Sequence, residues 1–110
     1  MNSREDPLGS LEHVVLLAVL RLGAQAYGMN VLRDIKAATG RSLSIGAVYA
    51  TLVRLESKGL LNSFEGEPTA ERGGRAKRYF RLTAKGKAAL RSTREMLRKM
   101  SIGIQGLEVS

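Results

Sequence analysis

Ser44-Ile-Gly-Ala-Val-Tyr-Ala-Thr-Leu-Val-Arg-Leu-Glu-Ser-Lys-Gly-Leu-Leu61 reads as one short helix with a marked start, a marked stop and two unlike faces. Ser44 suits an N-cap, because its hydroxyl can accept from an unpaired amide of the first turn. Gly59 suits the left-handed residue that closes a helix. Ile45, Val48, Leu52 and Leu55 recur at helical spacing and are expected to face a core. Gly46, Ala47, Ala50, Thr51 and Arg54 fall on the other face. Gly46, Ala47 and Ala50 are small and sit near the helix start, so that end can lie close against another surface. The major groove of DNA is the surface that this shape proposes.

Working outward, a second helix is predicted upstream, over Tyr27–Thr39. Its stripe is Val31, Leu32, Ile35 and Ala38, and Gly40 is its expected stop. Only Arg41, Ser42 and Leu43 separate that stop from Ser44. Two amphipathic helices across a tight glycine-containing connection make a helix-turn-helix candidate. A first helix is expected from Ser10, taken as its N-cap, with Glu12 well placed in the first turn. It is apolar almost all round from Leu11 to Leu22, so it is either central to the core or covered by a second chain. Residues 1–9, broken by Pro7 and Gly9, read as a mobile leader.

Downstream, Leu60 to Glu65 alternates as a strand does. Residues 66–75 form a loop punctuated by Pro68, Gly73 and Gly74, and Lys77-Arg-Tyr-Phe-Arg-Leu-Thr alternates again. A hairpin directly after a recognition helix is the wing of a winged helix. From Thr83, a good cap, a last helix follows. Leu90, Thr93, Leu97, Met100, Ile104 and Leu107 recur by three and four, the seam of a coiled coil. The expected architecture is therefore mainly α with a small β-hairpin. A winged helix-turn-helix domain spans 10–82, a C-terminal dimerisation helix 83–104 and a tail 105–110. The seam, together with the first helix, favours a homodimer through Leu11, Val15, Val19, Leu90, Leu97, Met100 and Ile104.

Charge is unevenly placed. Residues 1–71 carry seven basic and eight acidic residues, a net of −1. Residues 72–110 carry eleven basic and two acidic, a net of +9. Such a basic half argues for a polyanionic partner. Arg72, Arg75, Lys77, Arg78 and Arg81 lie within ten residues with no acid among them. Arginines on a thin loop suit backbone phosphates and the narrow minor groove. The candidate DNA-binding set is Arg41, Ser44, Gly46, Ala47, Tyr49, Ala50, Thr51, Arg54, Arg72, Gly74, Arg75 and Lys77. None of the exposed residues expected near the helix start is an Arg, Asn or Gln able to read a base bidentately. Methyl contacts, hydroxyls and water are expected to read bases, and phosphates to supply much of the affinity.

Other chemistry lacks support. With no Cys, disulfides, thiolate catalysis and Cys-based zinc sites are excluded. His13 is the single histidine, and no carboxylate spacing turns it into a metal site. No G-x-S-x-G, Walker or G-x-G-x-x-G motif occurs, so no enzyme activity, metal or cofactor is expected. The longest apolar run, Val14 to Leu20, is seven residues, against roughly 20 for a membrane span. A cytoplasmic chain with no membrane partner is expected. A non-specific basic nucleic-acid-binding domain and a protein-interaction adaptor are the alternatives.

Several stretches together resemble the PadR family of bacterial transcriptional regulators, over nearly all of residues 8–101. They are Val15-Leu-Leu-Ala-Val-Leu, Tyr27-Gly28, Ser44-Ile-Gly-Ala-Val-Tyr with Leu52 and Arg54-Leu55-Glu56, Lys58-Gly59-Leu60, and Gly73-Gly-Arg-Ala-Lys-Arg-Tyr-Phe-Arg-Leu-Thr. The resemblance implies a homodimeric DNA-binding repressor. It places the positions of Ser44, Gly46, Ala47, Tyr49, Thr51 and Arg54, and of Gly74, Arg75 and Lys77, at the DNA. Two departures stand out: Ala47 where the family often has Thr, and Ala50 where it often has Pro. Some relatives bind aromatic ligands at the dimer interface. This chain has no Trp to stack a ring there, so a small-molecule effector stays an open, unidentified partner.

Overall fold

The computed structural model describes residues 8–68 and 76–107. Four helices, α1 (Ser10–Leu22), α2 (Gly28–Thr39), α3 (Ile45–Ser57) and α4 (Ala84–Ser101), surround a hairpin of β1 (Leu61–Pro68) and β2 (Ala76–Leu82). The strands pair antiparallel, with Leu61 opposite Leu82, Ser63 opposite Phe80 and Phe64 opposite Tyr79. Ala26 and Tyr27 extend the far edge of β2. The Phe80 N–H donates to the Ala26 carbonyl at 2.8 Å, and Tyr27 bridges Tyr79.

Local signals set most of the boundaries. The Ser44 hydroxyl accepts from the Ala47 N–H at 3.0 Å, and the Thr83 hydroxyl from the Gly86 N–H at 3.0 Å, so both predicted caps hold. At the end of α3 the Gly59 N–H donates to Glu56 and the Leu60 N–H to Leu55. This paired closure needs a left-handed residue, and Gly59 has φ +80°. The buried side chains of Leu55 and Leu60 accompany it. The start of α1 differs from expectation. Gly9 is the N-cap, Ser10 is the first helical residue, and the Glu12 carboxylate accepts from the Gly9 N–H at 3.1 Å. Leu8 is tied down as well, its N–H donating to the Thr93 hydroxyl at 3.1 Å. Residues 8 and 9 thus belong to the domain, and the remaining leader, 1–7, lies outside the described residues.

The core lies between α1, α2, α3 and the inner face of the hairpin. Val15, Leu16, Val31, Val48, Leu52, Leu55 and Leu61 are fully buried there beside Phe80. Leu90 joins the same cluster from α4. Three residues expected at a dimer seam, Val15, Val19 and Leu90, are therefore spent inside the protomer. The apolar girth of α1 is covered within its own chain by α2 and α3, with β2 and α4 adding to them. Leu11 is half-buried, whereas Leu97 and Met100 are exposed. Helix α4 ends at Ser101 rather than 104, so Ile104 lies beyond the helix, exposed in a following turn. Gly103, with φ +84°, breaks the helical path there. Strand β1 runs to Pro68, past the expected start of the loop at 66, with its pairing irregular after Glu65. Among the described residues no helix is long and apolar enough to cross a membrane.

Candidate nucleic-acid interface

Helix α3 buries Val48, Thr51, Leu52 and Leu55 and presents the opposite side to solvent. Two expectations reverse here. Ile45, expected in the core, is 40% exposed, because it opens the helix at the edge of the packed stripe. Thr51, expected on the DNA face, is 1% exposed. Its hydroxyl donates to the Ala47 carbonyl at 2.8 Å, so the polar atom is satisfied within the helix and its burial is tolerated. Thr51 therefore leaves the base-facing set. Gly46 and Ala50 remain exposed, Ala47 is half-buried and Ser44 caps. Val53 is 52% exposed on the same face and was not signalled by the small-residue pattern.

Tyr49 is partly open. Its ring lies against Gly28 at the start of α2 and meets Phe80 edge-on, with centroids 6.3 Å apart. A Cβ at Gly28 would come within 3.1 Å of that ring, so the glycine lets α2 and α3 approach closely.

Arg54 and Lys58 converge on one carboxylate from α1. Glu12 Oε2 accepts from Lys58 Nζ at 2.7 Å and from Arg54 Nε at 3.3 Å, while the Arg54 guanidinium also donates to Thr51 Oγ1 at 3.3 Å. Burial by itself would raise the Glu12 pKa. The bonds from Lys58 and the Gly9 N–H, the Lys58 charge and the Arg54 bond outweigh it, and hold the carboxyl below its usual value. Both cations keep half of their side chains exposed, so they remain able to face a polyanion. The pairing of Arg54 with Glu12, 42 positions away, has no local sequence signal. The only acid within α3, Glu56, accepts from the Ser63 hydroxyl at 2.6 Å.

The hairpin stem packs against α3 through β1, and Phe80 of β2 meets Tyr49. Phe64 stacks on Tyr79 with centroids 5.8 Å apart, and Tyr27 meets Tyr79 edge-on at 5.5 Å. Lys77 Nζ lies 4.3 Å over the Tyr27 ring and the Arg81 guanidinium 5.0 Å over Phe64. Such contacts brace the stem while leaving the cations outward. Arg72, Gly74 and Arg75 lie outside the described residues, and Arg41 is exposed ahead of α3. His13, on α1, shares a shallow cavity with Arg94 and Leu97 of α4; burial first, and the Arg94 charge second, lower its pKa. Among the described residues no three His, Cys, Asp or Glu gather as a metal site.

A helix-turn-helix followed by a braced basic hairpin defines the DNA-binding winged-helix class. The family model described as "Transcriptional regulator PadR-like family" matches residues 16–92, more than half of the chain. The chain belongs to that family of transcriptional regulators. No curated protein matches it. Solved structures do. A PadR-like transcription factor from Bacteroides fragilis is 26% identical, with a TM-score of 0.69 over 83% of this chain and 82% of that one. A PadR family regulator from Eggerthella lenta is 27% identical, with a TM-score of 0.67 over 82% of this chain and 76% of that one. A PadR family regulator from Clostridium difficile is also 27% identical, with a TM-score of 0.61 over 81% and 91%.

Proposed function

We propose that the chain is a repressor that binds a palindromic operator as a homodimer. Helix α3 enters the major groove, and the wing lies on the backbone or in the minor groove. The observation that carries this is the exposed side of α3. It is cleared of bulk at Gly46 and Ala50, holds no free acid, and is bordered by Arg54 and Lys58. Ser44, Gly46, Tyr49, Ala50 and Val53 are assigned to the groove floor. Arg41, Arg54, Arg72, Gly74, Arg75 and Lys77 are assigned to phosphates. Pairing of two copies is assigned to the outer side of α4, where Leu97 is 51% and Met100 73% exposed.

Selection from a random duplex pool tests the proposal. Enriched sequences should form an inverted repeat with half-sites about one helical turn apart. A single unrepeated half-site would refute the two-fold mode. No binding to any duplex at low salt would instead favour a protein-interaction adaptor.

A further inference from the structure

The exposed side of α3 carries two parallel rows. Gly46, Ala50 and Arg54 form one, small and then basic. Ile45, Tyr49 and Val53, also spaced by four, form the other, and these are 40%, 39% and 52% exposed. Three large apolar groups at successive turns leave apolar surface in water, which is unfavourable in an isolated domain. Arg54 and Lys58, half exposed, lie beyond the neighbouring small row, and the one acid of the helix is engaged elsewhere with Ser63, so this side of α3 favours a polyanion over an acidic protein surface. Ile45 to Val53 contains no Arg, Lys, Asn or Gln, so guanine and adenine cannot be read there by paired hydrogen bonds. In the major groove the apolar group on offer is the C5 methyl of thymine.

Resting on the assignment of α3 to the groove, we propose that the Ile45–Tyr49–Val53 row reads thymine methyl groups. Ile45 and Val53 are then specificity-determining residues, and the Tyr49 ring, held against Gly28 and Phe80, fixes the depth of approach. The small neighbouring row lets the helix backbone come close enough for such short side chains to reach a methyl.

The test uses duplexes recovered from a random pool and the same duplexes with deoxyuridine replacing thymidine one position at a time. That exchange removes only the methyl. At each contacted position affinity should fall about four-fold, which is ~0.8 kcal/mol for one buried methyl-sized group. The Ile45→Ala/Val53→Ala double variant, altered at two exposed positions, should bind the thymidine and deoxyuridine duplexes alike. A protein that is only structurally perturbed would instead lose affinity for both in proportion. Equal binding of the two duplexes by the natural protein overturns the proposal, and so does a double variant that keeps the full thymine preference. A pool with no enriched sequence removes the assignment of α3 to the groove, and this inference with it.

Discussion

Glu12→Gln is the most informative single change for the domain. The Glu12 carboxylate joins the start of α1 to the second half of α3 through bonds of 3.1 Å from Gly9, 2.7 Å from Lys58 and 3.3 Å from Arg54. Glutamine keeps the size and one acceptor but removes the charge. A hydrogen bond to a charged partner contributes about 1.5–3 kcal/mol, against about 0.5–1.5 for a neutral one. Arg54 and Lys58 are half exposed, so water recovers part of the difference. The expected loss is about 1–2 kcal/mol at pH 7. Its pH dependence has a definite sign. The folded-state pKa lies below the usual value, so the stabilisation is complete above the unfolded carboxyl pKa, about 4.3, and is lost as pH falls through the lower folded value. Urea unfolding at fixed protein concentration, at pH 7, 5 and 3.5, should show a gap between natural protein and variant that narrows at the acid end. No gap at pH 7, or one that does not change with pH, would refute the ion-paired role of Glu12.

Three further outcomes are expected. Gly86→Ala should destabilise by about 1–3 kcal/mol in thermal or urea unfolding, because a Cβ there would overlap the Leu60 carbonyl where α4 crosses the start of the hairpin; an unchanged midpoint would contradict that packing. Thr51→Ala should cost about 0.5–1.5 kcal/mol of stability and leave the ranking of operator variants unchanged, since its hydroxyl is spent on the Ala47 carbonyl; an altered ranking would return Thr51 to the groove. Leu97→Asp should give a folded monomer by light scattering, as the side chain is half exposed on α4; a dimer of unchanged mass would place pairing elsewhere.

Features governed by neighbours in sequence were legible without the structure. Ser44 and Thr83 cap, Gly40 and Gly59 close helices, and the alternation around Phe80 marks a strand, because each depends on a few adjacent residues. Burial along α3 was less legible. Ile45 and Thr51 both sit near the boundary between its faces, and residue polarity misplaces each. Thr51 can bury because its hydroxyl bonds one turn back, whereas Ile45 opens the helix at the margin of the core. Three of the seven residues expected at the dimer seam are buried within the protomer for a different reason. Periodicity reports that Val15, Val19 and Leu90 are covered, but not whether their cover comes from the same chain. The convergence of Arg54 and Lys58 on Glu12 depends on how α1 crosses α3, which no local pattern encodes.

The central claim is that the cleared, cation-bordered side of α3 recognises a particular DNA sequence. Its most direct test is the affinity for a pool-selected duplex against a scrambled duplex of the same composition, measured at one salt concentration. Sequence-specific recognition predicts tighter binding to the selected duplex by at least about 10³-fold. Equal affinity for the two would contradict it.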